Sequence, residues 1–367
     1  MAFSISSSLS SLFSQEQKSA LGIDIGTSSI KVVQLRLEKG RVVLETYGAI
    51  ALGPYAGVEI GRATSLPYDK IAEALKDVIR EANVTVKNAA ISIPYASSLV
   101  SVVTLPAGVE KQLAQVMPLE ARKYIPVPIN EVLLDWFIIS GGGKNAGPND
   151  KLQVLLVAIH NDTISKFRSI ASDAGVNVAF FEIEVFSAVR AALDHGIAPI
   201  AVVDMGAGTT KFYVVERGII RESHIISHGS QDLTLAAAQA LSTTVADAEQ
   251  RKRKFGMQGE AVIQGNGVLK QSLELSLSTL FSEIARTVTS YEAQKNQPLS
   301  AIVFTGGGAT LKGLQAYAQE KIQTEIRLAN PFAKTQAPAF LEEILKEAGP
   351  EFSVAVGLAL RQLQGNG

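Results

Sequence analysis

One octet occurs twice in this chain, and that repetition limits the possible folds more than any other feature. Asp24-Ile-Gly26-Thr-Ser-Ser-Ile-Lys31 and Asp204-Met-Gly206-Ala-Gly208-Thr-Thr-Lys211 both read D-x-G-x-x-x-x-K, 180 residues apart in a chain of 367. Each copy has the same surroundings. An apolar, β-rich run ends at the Asp, a turn of glycine and hydroxyl residues follows, and two further β-rich runs come after it. The runs are Leu21–Ile25, Ile30–Leu37 and Arg41–Ile50 in the first copy. In the second they are Ala198–Asp204, Thr210–Arg217 and Ile219–Ser227. A unit this small cannot bury its own apolar faces alone, so the repeat predicts a duplicated α/β domain whose halves face each other across a cleft.

The intervening sequence has its own rhythm. A helix is predicted over Tyr68–Ala82, with Ile71, Leu75, Val78 and Ile79 on one face, and a strand over Ala89–Ile93, stopped by Pro94. From 96 to 177 the order is strand (Leu99–Leu105), helix (Glu110–Tyr124), two strands (Leu133–Ile139 and Leu152–Ile159) and a helix (Asp162–Ala174). This reads as an inserted β-α-β-β-α subdomain. Helices over Asp232–Leu241, Val245–Phe255 and Val268–Gln294 follow the second octet. A strand, Ala301–Thr305, then runs into Gly306-Gly307-Gly308 and a helix from Leu311. Residues 1–19 read as a flexible Ser-rich tail. The expected division is 20–95 with 178–197 as a first lobe, 96–177 as the insert, 198–243 with 296–367 as a second lobe, and 244–295 as a helical subdomain.

A glycine turn between strands points backbone N–H groups into one concavity, a nest that holds phosphate oxygens. In the first turn Gly26 gives close backbone approach, Thr27, Ser28 and Ser29 add hydroxyls, and Lys31 adds an ammonium. In the second, Gly206, Gly208, Thr209 and Thr210 do the same. Two facing nests make a clamp for a polyphosphate. Asp24 and Asp204 would be repelled by such a ligand unless Mg²⁺ lay between, held through waters. Three bare glycines at a strand end let a flat ring or a phosphate lie against backbone.

Composition removes competing chemistries. There is no Cys, so disulfides, thiol nucleophiles and cysteine-ligated zinc are excluded. The 34 basic and 35 acidic residues leave a net charge of −1, which provides no global field for nucleic acid. No run of about 18 apolar residues marks a membrane span.

The two octets and the late Thr305-Gly-Gly-Gly-Ala-Thr-Leu311 resemble the phosphate-1, phosphate-2 and adenosine motifs of the actin/Hsp70/hexokinase superfamily. An insert placed before the second half resembles the FtsA-like branch. Within it, Glu120-Ala-Arg-Lys-Tyr124-Ile-Pro126-Val-Pro128-Ile-Asn-Glu131-Val-Leu-Leu-Asp135 is similar to the matching segment of the PilM family of type IV pilus assembly. The resemblance runs from residue 20 through nearly the whole chain. It implies an actin-like ATPase fold that binds ATP with Mg²⁺ between the lobes. Gly306, Gly307, Gly308 and Leu311 would line the adenosine, and Glu249 and Lys252 of Ala248-Glu-Gln-Arg-Lys252 would contact the ribose. Glu184 fits the position that orients an attacking water, with Asp204 beside it, and any turnover is expected to be slow. The resemblance further implies a cytoplasmic protein recruited to the inner membrane by partners. Its groove between first lobe and insert would take the N-terminal peptide of a PilN-like protein. Pilus ATPases, other platform proteins and a second copy of the chain are further expected partners. Two alternatives share the fold: an FtsA-like polymerising membrane anchor and a small-molecule kinase.

Overall fold

The computed structural model describes residues 18–141, 151–194, 196–257 and 266–364. Most of the Ser-rich tail (1–17) and most of the Gly-rich loop of the insert (142–150) lie outside the described residues. The chain opens with β1 (Lys18–Ile25), β2 (Ser29–Glu38), β3 (Arg41–Ala51), α1 (Tyr68–Glu81) and β4 (Asn88–Ile93). Next come β5 (Ser98–Pro106), α2 (Leu113–Ala121), β6 (Val132–Ser140) and β7 (Lys151–His160), followed by α3 (Asn161–Asp173), β8 (Asn177–Ile183) and α4 (Glu184–Ala192). The second repeat supplies β9 (Ile200–Met205), β10 (Thr210–Glu216) and β11 (Ile219–Ile226), then α5 (Ser230–Leu241), α6 (Val245–Phe255) and α7 (Asn266–Lys295). The chain continues with β12 (Ala301–Thr305), α8 (Leu314–Lys321), β13 (Ile326–Leu328), α9 (Glu342–Ala348) and α10 (Ser353–Gln364).

The strands form three sheets, ordered β3-β2-β1-β4-β8, β11-β10-β9-β12-β13 and β5-β7-β6. The first two share one plan. β1 pairs antiparallel with β2 and parallel with β4, as β9 does with β10 and β12. The duplication seen in eight residues therefore extends to whole five-stranded sheets. β1 and β9 are central strands covered on both faces, so both are apolar nearly throughout. Alternation along β9 sends Ala201 and Val203 into one core, with Leu273, Leu277 and Phe304, and Val202 into the other, with Ala188 and Val189 of α4. The apolar stripe of α7, Leu269, Leu273, Leu277, Leu280, Ile284, Val288 and Tyr291, is buried along its length. Each such side chain contributes about 1.5–3 kcal/mol by leaving water.

Two boundaries differ from the sequence reading. The rhythm assigns the 162–174 helix to the insert, but α3 packs on α1 and puts Phe167, Ile170 and Ala171 into the first-lobe core. The insert is thus β-α-β-β with its own core of Val103, Leu113, Met117 and Leu156. β7 is buried on both sides, with Leu152 and Val154 toward that core and Leu155 and Val157 toward the first lobe. The second difference lies in 296–367, which the repeat assigns wholly to the second lobe. From Pro331 the chain crosses back to the first. Phe332 and Phe352 hold Tyr47 of β3 between them at ring distances of 5.7 and 5.4 Å, and α10 lies on β1 and α4. The physical reason is visible in α10 itself. Ser353 through Leu360 are all buried, a helix apolar on every side that only a position between layers can satisfy. Two glycines permit the approach. A Cβ on Gly22 would lie 2.0 Å from Ala355 O, and one on Gly357 would lie 2.0 Å from Ser187 O.

Two helices are shorter than the sequence suggests. The 110–124 segment is a 3₁₀ turn, Glu110–Gln112, followed by α2 alone, and Gly307–Thr310 forms a 3₁₀ turn, so α8 starts only at Leu314.

Candidate functional site

The octets fold into matching hairpins. Register places Asp24 opposite Lys31 and Asp204 opposite Lys211, so the shared spacing is the length of a turn that makes acid and lysine cross-strand neighbours. The turns also close alike. Gly26 N donates to Ser29 O at 3.1 Å, and Gly206 N donates to Thr209 O at 3.0 Å. Both turns open onto one cleft of about 690 Å³. Its walls carry Asp24, Gly26, Thr27, Ser28, Ser29 and Lys31 from the first hairpin and Asp204, Gly206, Gly208, Thr209 and Lys211 from the second. Glu184, Glu249, Lys252, Gly306, Gly307, Gly308 and Leu311 complete the set singled out from sequence. Thr210 is the exception. It is fully buried, and its hydroxyl donates to His228 O at 2.7 Å. It braces the second turn from behind because odd and even positions of β10 face opposite sides.

The floor of the cleft is a cluster of charge. Asp24 is buried, and its Oδ1 accepts from Ser92 Oγ at 2.9 Å, while the same Ser92 oxygen accepts from Ile25 N at 3.2 Å. No donor among the described residues meets Asp24 Oδ2, and burial raises this carboxyl above the usual Asp range despite the nearby Lys31 charge. Glu184, the first residue of α4, has both oxygens committed: Oε1 to Tyr95 N at 2.7 Å and Oε2 to Lys211 Nζ at 2.9 Å. Burial, together with Asp204 and Asp24, raises its carboxyl as well. Lys211 Nζ also meets Asp204 Oδ2 at 3.1 Å. Burial acts to lower the Lys211 pKa, but Asp204 and Glu184 outweigh it and hold the ammonium well above the ordinary Lys value.

The donor set bears on the expected magnesium ion. Among the described residues no three His, Cys, Asp or Glu side chains are grouped to hold a bare metal. A hydrated Mg²⁺ shared with phosphates fits better, because it needs only a hard oxygen facing the cleft. Asp24 lines the cleft with only its Oδ1 hydrogen-bonded, to Ser92, whereas Asp204 Oδ2 already has the Lys211 ammonium.

On the far wall Glu249 and Lys252 are buried and paired at 2.7 Å, with Thr234 Oγ1 between them. Burial would raise Glu249, yet Lys252, Thr234 and Arg253 bring it below the usual Glu range. Ala63 N donates to Gln231 Oε1 across the cleft at 3.1 Å, and a Cβ on Gly61 would lie 2.7 Å from the Glu249 carboxylate carbon. Loop 57–66 of the first lobe therefore reaches the second lobe beside Glu249. The partners Ser92, Tyr95 and Gln231 carry no local sequence signal, since they lie far along the chain from what they touch. Lys211 did carry one, as the closing residue of the second octet.

With this geometry in view, comparison with known proteins is specific. The chain is 21% identical over 352 residues to cell division protein FtsA of Bacillus subtilis (strain 168), covering 85% of this chain and 78% of that one. A solved PilM-PilN type IV pilus biogenesis complex matches at a TM-score of 0.77 and 22% identity, over 93% of this chain and 98% of the other. MreB5 of Spiroplasma citri bound to ADP matches at a TM-score of 0.53 and 10% identity, over 95% of this chain and 99% of the other. These structures establish an actin-like fold. The family model described as type IV pilus assembly protein PilM matches residues 22–363, so the chain belongs to the PilM family of type IV pilus assembly proteins.

Proposed function

We propose that this protein is an ATP-binding scaffold of the type IV pilus assembly platform at the inner membrane, and that it holds the N-terminal cytoplasmic peptide of a PilN-like membrane protein. The observation that carries the nucleotide half is the pair of identically closed turns, Gly26–Ser29 and Gly206–Thr209, opening onto one cleft. Backbone donors from both turns and the Lys31 ammonium would grip the phosphates, and the open segment from Gly306 to Leu311 would accept the adenosine. Mg²⁺, when bound, would neutralise phosphate charge, with the Asp24 carboxylate as its protein partner through water. Glu184 would orient an attacking water only after releasing one of its two partners. Positioning dominates phosphoryl transfer, so turnover is expected to be slow.

Family membership and the likeness to a PilM-PilN complex support the partner half. So does apolar surface on the insert. β6 is an edge strand whose Ile139 packs on the first-lobe core, while Leu133, Phe137 and Ile138 stay exposed at 49–55%. Such a surface suits an apolar peptide docked between lobe and insert. Among the described residues no helix is long and apolar enough to cross a membrane, so membrane association would come through the partner.

Calorimetry tests both halves. AMPPNP with Mg²⁺ should bind wild type, and Gly26→Val should weaken it at least about tenfold. A Cβ at Gly26 meets only Ser29 O, at 3.1 Å, a contact relieved only if that backbone oxygen gives way slightly, so an unchanged Tm must accompany the binding measurement. A synthetic N-terminal PilN-type peptide should bind wild type and bind Phe137→Asp less well. Unchanged nucleotide binding in Gly26→Val refutes the clamp. A silent peptide together with a phosphorylated small-molecule acceptor refutes the scaffold in favour of a kinase.

A further inference from the structure

The duplicated hairpins are alike in backbone and unlike in the use of their lysines. Lys31 is 9% exposed and lines the cleft, yet among the described residues no acceptor or carboxylate holds its ammonium. Lys211, at the equivalent position, is fixed between two carboxylates, 2.9 Å from Glu184 Oε2 and 3.1 Å from Asp204 Oδ2. Register makes both lysines cross-strand neighbours of an Asp, so the backbone does not cause the difference. Glu184 causes it. It stands at the start of α4, held from its other oxygen by Tyr95 N, and supplies the second carboxylate that draws Lys211 inward.

Without Lys211, Asp204 and Glu184 would present two uncompensated negative charges to any polyphosphate entering the cleft. At low local dielectric that repulsion is large. We propose that Lys211 is a built-in counter-ion of this cleft: its ammonium does the neutralising that a cation would otherwise do between Asp204 and Glu184. Lys31 and Asp24 are thereby left free for the phosphates and their hydrated ion, and loss of that ion costs the protein less nucleotide affinity with Lys211 in place than without it. Lys211 is thus a positioning and charge-setting residue, and Lys31 is the phosphate ligand. The inference rests on the ATP-binding reading above.

The test is AMPPNP affinity measured by calorimetry in Mg²⁺ and in EDTA, with ADP as a second probe. The loss of affinity from Mg²⁺ to EDTA should be roughly tenfold or more greater in Lys211→Met than in wild type. Lys211→Arg retains the charge and should behave as wild type. Lys211→Met leaves two buried carboxylates unpaired and could unfold, so the double variant Lys211→Met/Glu184→Gln is measured as well. With one carboxylate neutralised, it should regain the wild-type response to EDTA. If wild type binds with Mg²⁺ and loses as much affinity in EDTA as Lys211→Met does, the counter-ion role is overturned and the ATP-binding reading stands. If wild type binds nucleotide under neither condition, both fall. A double variant no better than the single one also overturns the proposal.

Discussion

Three consecutive glycines border the cleft, and each is glycine for a different reason. Gly306 has φ 84° and ψ 169°, a region open essentially to glycine alone. A Cβ there would also lie 2.4 Å from Asp204 Oδ1 and 2.6 Å from Met205 O. Gly308 is confined by close approach instead, with Met205 Cβ 2.8 Å and Met205 O 3.0 Å from its would-be Cβ. Gly307 has neither constraint, since the nearest atom to an added Cβ is Glu351 Oε2 at 3.8 Å. The two alanine variants should therefore separate fold from ligand. Gly306→Ala incurs about 1–3 kcal/mol of backbone strain. Pushing the Asp204 carboxylate aside adds about 1–3 kcal/mol of overpacking. A central value of about 4 kcal/mol corresponds to a fall in Tm of roughly 5 °C, at about 1.3 °C per kcal/mol for a chain of this length. Gly307→Ala should leave Tm within about 1 °C, yet its methyl stands in the cleft and should weaken AMPPNP about tenfold or more. Differential scanning fluorimetry and calorimetry on the same preparations give both numbers. Equal losses of Tm would refute the conformational argument. Full nucleotide affinity in a stable Gly307→Ala would refute the placement of ligand against this segment.

Further expectations concern buried polar groups and the return of the chain. Glu182 is buried beneath Arg190, Arg361 and Ser187, with contacts of 2.7 and 2.8 Å to Arg190 and 2.5 Å to Arg361. Burial would raise this carboxyl, but its partners outweigh that and hold it below the usual Glu value of 4.5. A depressed folded pKa means that the stabilisation is complete above about pH 4.5 and disappears as pH falls through the folded value. Glu182→Gln should accordingly cost about 3 kcal/mol in urea unfolding at pH 7 and progressively less below pH 4; an equal cost at both pH values would contradict this assignment. Thr234→Val removes the hydroxyl that joins Glu249 and Lys252 and should cost about 1.5–3 kcal/mol by the same measurement. Gly357→Val would drive a side chain into Ser187 backbone atoms 2.0–2.9 Å away and should cost about 3 kcal/mol or more. By contrast Gly267→Ala, on an exposed turn of α7 with nothing within 4 Å of its Cβ, should be neutral or stabilise by up to about 1 kcal/mol.

The legible part of this molecule was the part that repeats. D-x-G-x-x-x-x-K recurs because a hairpin of fixed length needs it, and the sheet plan follows from strands flanking each copy. Lys211 shows where that logic stops. Sequence gives it the same place as Lys31, but its pairing depends on Glu184, which arrives from another element. α3 and the chain after Pro331 pack away from the units that sequence continuity assigns them, for a related reason. Both are contiguous in sequence with one unit and bury their apolar faces on another, and proximity along the chain is only a weak guide to packing. One signal was available, since the run Ser353-Val-Ala-Val-Gly-Leu-Ala-Leu360 is apolar on every helical face and so demanded cover on all sides.

That last described helix gives chain growth an awkward order. β1 to β4 are synthesised long before α10, yet Ala20, Val33 and Leu35 on one face of their sheet share a core with Ala355, Val356 and Ala359. Until those residues emerge, the first lobe carries an open apolar face while the insert and the whole second lobe are still being made. Such a nascent chain is exposed to misassembly and depends on delay or on shielding from other proteins. A translation product halted before residue 353 is therefore not a shorter version of this protein but one whose first lobe lacks part of its core.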